Sequence, residues 1–200
     1  MAFSQPAQAE KAEQLAVREF SLDKRYGNSF VNGVFKDNIL LVLKYSSGEK
    51  IDARNIDWKK VNEPFVHKLT LKPGETFAYH EDVLPEYDGK VTKTTNALFN
   101  YDQGFKSSGF LMGDGVCHLA SLLYWVAKDA GLDTVAPTRH DFAIIPEVPR
   151  EFGVSIYNHP EKSAGDQAQN LYITNSKEKD VTFVFDYDGA NLKITAQGAI

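Results

Sequence analysis

Cysteine is nearly absent: the 200-residue chain has one, Cys117. An internal disulfide is thereby excluded, and so is a metal site built from several thiolates. The single thiol leaves the redox compartment open. No apolar run is long enough to span a membrane, and no signal peptide is legible; the Met1-Ala2 start fits a start placed after a removed leader. Neither charge sign dominates. Lys plus Arg number 22 against 27 Asp plus Glu, a formal net charge of -5, and the basic residues are scattered, so there is no nucleic-acid footprint. There are no internal repeats, and no low-complexity block beyond the N-terminus. Cys117, His118, His140 and His80 are of metal-ligand type, but no dense ligand spacing accompanies them, and no metal is expected. Gly113-Asp114-Gly115 lacks the Lys-Ser/Thr of a phosphate loop and the third glycine of a dinucleotide fingerprint, so no cofactor is expected either.

What is present is an ordinary globular composition, 42% apolar and 24% charged, sufficient for one domain or a domain with a tail. Its organising stretch runs from Gly113 to Gly131 and reads as a loop turning into a helix. Asp114 is a candidate N-cap. Val116, Leu119, Leu123, Val126 and Ala130 share one face at helical spacing, and Gly131 suits a left-handed terminus. Cys117 falls in the first turn. There, unsatisfied amides and the helix dipole stabilise a thiolate and can hold an oxyanion. Flanking glycines, Gly115 among them, admit a substrate backbone. These features set the expected thiol pKa below about 8.5, with Asp114 opposing. The plainer reading of the same residues is a small buried hydrophobe.

In chain order, residues 1–18 read as a flexible or helical lead-in. Residues 19–64 read as a β-rich extension packed on the same domain; its strongest strand signal is the apolar run Asn38–Tyr45, expected to be buried on both faces. The main domain spans 65–200. Phe65–Leu71 and Thr76–His80 alternate around a Pro73-Gly74 corner. Residues 81–106 are loop-rich, with Tyr79, Tyr87, Phe99, Tyr101 and Phe105 interleaved among polar residues. They form either a substrate-facing wall or a loop tacked to the core by its aromatics. Short strands follow at Asp133–Ala136, Phe152–Tyr157, Leu171–Thr174, Val181–Tyr187 and Leu192–Ala196, with a surface loop over 158–169. The fold class is α+β: one main helix carrying the cysteine at its N-terminus, on a mostly antiparallel sheet with loop-rich insertions.

Between Cys117 and His140 fit one helix leading away and one strand leading back, so the imidazole can return to the thiol. Such a pair performs nucleophilic acyl transfer: histidine takes the thiol proton and later protonates the leaving amine. Asp141 points the opposite way on an extended segment. The third, orienting group is Glu147, a backbone carbonyl, or a side chain not identified. His118 either lines the site or is exposed at the helix start. Ser121 and Arg139 are supporting candidates, as is Tyr101 from the aromatic stretch. His67, His80 and His159 read as ordinary surface or strand positions.

Leu71-Lys72-Pro73-Gly74-Glu75-Thr76-Phe77, Gly113-Asp114-Gly115-Val116-Cys117-His118, Arg139-His140 and Asn170-Leu171-Tyr172-Ile173-Thr174-Asn175 together resemble the VanW domain, from Leu71 to Ala196. The sequence departs from the family pattern at Asp114, usually glycine, and at His118, usually glutamine. It departs again at Phe142, where a second histidine is common, and at Gly153, where an acidic residue is expected. The resemblance implies a cysteine L,D-transpeptidase-like activity on peptidoglycan stem peptides, outside the cytoplasmic membrane, with Cys117 and His140 retained. A non-catalytic wall- or glycan-binding module is the alternative. Substrate identity and oligomeric state are not legible.

Overall fold

Asn28 opens the longest helix. Its side-chain oxygen accepts from the amides of Phe30 and Val31, which satisfies two of the donors that a helix start leaves free. The resulting helix α1 spans Ser29–Ser46. Ile39, Leu40, Leu41, Val42 and Leu43 are all at most 2% exposed, each contributing about 1.5–3 kcal/mol of burial. The expected strand at Asn38–Tyr45 is therefore a helix. A continuous apolar run does not distinguish a strand from a helix that is buried all round. Here the decisive signals were the Asn28 cap and the apolar positions Val34 and Val31, one and two turns earlier.

The computed structural model describes residues 12–109, 113–157 and 166–200. Strand β1, Ala12–Ser21, pairs antiparallel with β8, Asn191–Ala199. β8 pairs with β7, Val181–Tyr187, and β7 with β2, Phe65–Leu71, giving an antiparallel four-stranded sheet β1-β8-β7-β2. A second sheet has the order β4-β3-β6-β5, from Val91–Lys93, Thr76–Ala78, Tyr172–Thr174 and Asp133–Val135. Only its β3–β4 pair is parallel. The cysteine helix α3 spans Val116–Asp129. A four-residue helix α2, Trp58–Val61, precedes β2.

The α+β class holds, but with two long helices rather than one. Residues 12–18, expected to be flexible or helical, are strand; 1–11 lie outside the described residues. β1 is legible only weakly, because mainly Ala16 and Phe20 turn inward. The segment 19–64, expected to be β-rich, contributes α1, α2 and only the end of β1. Phe152–Tyr157 is not a strand; it makes one isolated bridge, Val154 with Arg139. Both α1 and α3 contribute to a single hydrophobic core, in which Leu40, Leu122, Phe183 and Ile194 are fully buried.

Candidate active site

Two features of α1 fix the turn ahead of Cys117. Asn38, fully buried, donates to the carbonyls of Lys106 at 2.9 Å and Asp114 at 2.8 Å, and accepts from the Lys106 amide at 2.9 Å. Gly115 has φ 99°, and a Cβ there would sit 2.6 Å from the Phe35 carbonyl oxygen. Gly115 is thus required by the approach of the α1 backbone, and it also belongs to the lining of the cavity that holds Cys117. It is also the N-cap residue and makes no side-chain cap bond. Asp114, the expected cap, turns away: its carboxylate accepts from the Ser108 amide at 2.8 Å and hydroxyl at 2.6 Å.

Cys117 then occupies the second position of α3. The amides of Val116, His118 and Leu119 are spent on the Gly113 and Gly115 carbonyls. The Cys117 amide points at its own thiol, a position from which a helix-start amide can reach an oxyanion formed on that sulfur. The thiol meets the Ile156 backbone, donating to its carbonyl at 3.5 Å and accepting from its amide at 3.4 Å. One turn on, fully buried Ser121 donates to the Cys117 carbonyl at 2.7 Å and accepts from the Val154 amide at 2.8 Å. Ser121 therefore pins the 154–156 segment, which carries the thiol's partner, to the helix.

Cys117, His118 and His140 line one cavity of about 210 Å³, together with Arg25 and Asp114. Phe142, Ile144 and Tyr157 belong to the same lining, and all three are exposed, so its mouth is apolar. His140 enters from a loop, not from a strand. Its amide donates to the Gly153 carbonyl at 3.1 Å. Its Nδ1 lies 3.1 Å from the Ala143 carbonyl oxygen; a carbonyl only accepts, so Nδ1 carries the proton and Nε2 keeps its lone pair. Of the orienting groups considered from the sequence, the backbone carbonyl is the one found. Glu147 instead pairs with Arg25 at 2.5 Å, and Asp141 sits between Arg139 and Arg150. At Gly153 a Cβ would lie 3.3 Å from the His140 Cβ, so this position abuts the imidazole-bearing residue without offering it a side chain.

Burial dominates the electrostatics. It pushes the Cys117 thiol up to about 11; the Ile156 amide pulls the other way, and Asp114 adds to the rise. The expected depressed thiol is thus corrected: enclosure in the protein outweighs the helix start, and His140 brings no compensating charge. Burial also lowers the His140 pKa, so both partners rest neutral. His118, 6% exposed, is pushed down to about 3 by burial first, then by the charges of Arg25 and His140. Its Nδ1 is buried without a hydrogen-bond partner, and its ring lies 5.0 Å from that of Phe35 and 6.3 Å from that of His140.

The other candidates lie elsewhere. Arg139 is over half exposed in its side chain and faces Asp141. Tyr101 is exposed and lines a separate groove with Phe30 and Lys106. Of the remaining aromatics of its stretch, Tyr79, Phe99 and Phe105 are core residues, and Tyr87 stacks on Tyr172 at 4.0 Å. This is a loop fastened by its aromatics, not a substrate wall. His67 stacks on Phe185, buried His80 bonds the Gln169 carbonyl, and His159 lies outside the described residues. Among the described residues no three His, Cys, Asp or Glu side chains form a metal-holding group, and no helix is long and apolar enough to cross a membrane. Sequence reasoning missed Arg25, Phe35, Asn38 and Ile156. Asn38 alone had a signal, as an amide inside an apolar run.

No curated protein and no solved structure matches the chain. A family model described as VanW like protein matches residues 55–196, a span that holds both Cys117 and His140 and leaves α1 outside it. The chain therefore belongs to the VanW-like protein family.

Proposed function

We propose that the protein is a cysteine acyl-transferase or peptidase acting on peptidoglycan stem peptides outside the cytoplasmic membrane. The observation that carries this reading is the shared cavity, in which a thiol at a helix start lies with an imidazole whose Nε2 is free to accept. The acyl donor's carbonyl carbon is attacked by Sγ as the thiol proton passes to His140 Nε2. The Cys117 amide receives the developing oxyanion. The C–N bond breaks, the imidazolium returns its proton to the leaving amine, and a thioester remains on Cys117. An amine of a second peptide, or water, then attacks the thioester; its proton passes through His140 to the departing thiolate. Because thiol and imidazole both rest neutral, proton transfer accompanies attack rather than preceding it.

The test is incubation with peptidoglycan fragments, with products read by mass spectrometry. Wild type is expected to release or exchange the terminal residue of the stem peptide, and Cys117→Ala to form no product. Equal product from both proteins would end the proposal. A second reading, a non-catalytic wall- or glycan-binding module, is favoured by one observation: the thiol bonds the Ile156 backbone rather than His140. Wall binding that survives Cys117→Ala, without turnover by wild type, is its expected signature.

A further inference from the structure

The site is not built from the family-matched region alone. Arg25 precedes that region and lines the cavity, yet its side chain is 0% exposed. Its guanidinium spans three acceptors. Nε donates to the Ser21 carbonyl at 2.7 Å, Nη1 to the Pro146 carbonyl at 3.0 Å, and Nη2 to Glu147 Oε2 at 2.5 Å. Its underside rests on Phe20, with Cζ 4.0 Å from the ring centroid. Glu147 in turn accepts from the Ser21 amide at 3.1 Å. It stands at φ 63°, a left-handed backbone that a non-glycine residue keeps only when its surroundings hold it there.

Pro146 and Glu147 lie towards the end of the irregular segment that runs from His140 to Pro149. One end is fixed by the bond from the His140 amide to Gly153. Within it, His140 Nδ1 depends on the Ala143 carbonyl. We infer that Arg25 is a positioning residue of the Cys117 site: its fork fastens the far end of the His140 loop, so that the segment ahead of the family-matched region completes the site. A fully buried guanidinium is costly to desolvate, and holding the Pro146 carbonyl and the Glu147 carboxylate at once requires its planar, multi-donor geometry, which lysine lacks. The inference rests on the reading of His140 as the base, but its test does not require turnover.

Arg25→Lys keeps the charge and removes the fork. Hydrogen exchange of the backbone and an NMR titration of the His140 imidazole are compared with wild type, without substrate. The amides of His140 and Val148, bonded to the Gly153 and Ile145 carbonyls, are expected to exchange at least about tenfold faster while the α3 amides keep their protection. The His140 titration is expected to move up towards its unperturbed value as the loop opens to water. Groups facing that imidazole are Cys117 and His118 from α3, Asp114 from the preceding turn, Arg25 itself, and Asp141 from the loop; none but Arg25 is changed. If Arg25→Lys does not fold, Glu147→Gln is expected to give the same two shifts at smaller amplitude, and carries the test. Unchanged loop exchange and an unchanged His140 titration would overturn the inference, as would uniformly faster exchange across the whole chain. Loss of peptidoglycan turnover in wild type, with both shifts present in Arg25→Lys, would remove the proposed reaction and leave the positioning intact.

Discussion

His140→Ala is expected to slow acyl transfer to Cys117 by about 10²–10⁴-fold at neutral pH, the usual contribution of a positioned general base. The size follows from the resting state of the site. With the thiol pushed up to about 11, almost no thiolate exists at neutral pH, so attack requires a partner for the proton. The bond from Nδ1 to Ala143 leaves Nε2 as that partner, and burial keeps the imidazole unprotonated. For the neutral pair, hydroxide replaces the missing base as pH rises, and the gap between wild type and variant narrows. Single-turnover acylation followed by intact mass, between neutral pH and pH about 10, measures this. No deficit at neutral pH would remove His140 from the chemistry.

The second large effect is on stability in acid, and it comes from His118. Its pKa is about 3 in the folded protein against about 6.5 in an unfolded chain. Above pH 6.5 the ring is neutral in both states and no penalty arises. Below it the unfolded chain takes up the proton while the folded protein does not, so stability falls with pH until the folded value is reached. By pH 4 the loss from this residue is about 3 kcal/mol. His118→Gln removes the titration, while the carboxylates and His140 remain common to both proteins. Urea unfolding at pH 7 and pH 4 is expected to show wild type losing about 3 kcal/mol more than the variant. Equal losses would mean that the folded ring accepts its proton near the ordinary range.

The two halves of the candidate site differed in how far the sequence disclosed them. Helix α3, with its apolar face and Gly131 beyond its end, follows from periodicity and glycine placement. The return of His140 follows from one helix and one strand of intervening chain. Strands β2 and β7 were legible because they alternate cleanly. What failed was reading at the junctions. Asp114 has the chemistry of a cap, but Gly115 intervenes because the Phe35 backbone leaves no room for a Cβ. The run Asn38–Tyr45 had no period to betray a helix buried on every side. Arg25 is distant in sequence from Glu147, and no local pattern announces a charge pair between them. The thiol's environment was misjudged for the same reason: the helix start is local and readable, whereas the Ile156 segment that encloses the sulfur arrives through tertiary packing.

In the proposed mechanism Cys117 is a cavity-facing nucleophile that rests as a neutral thiol. The most direct measurement is the pH dependence of iodoacetamide labelling of the native protein, followed by intact mass. A neutral, cavity-facing thiol is expected to label without denaturant, at a rate still rising at pH about 10 as the thiolate fraction grows, with a shift to lower pH in Asp114→Asn, because that carboxylate raises the thiol pKa. Labelling only under denaturant would contradict it and make Cys117 a packing residue; a rate already level below pH about 8.5 would contradict the neutral resting state.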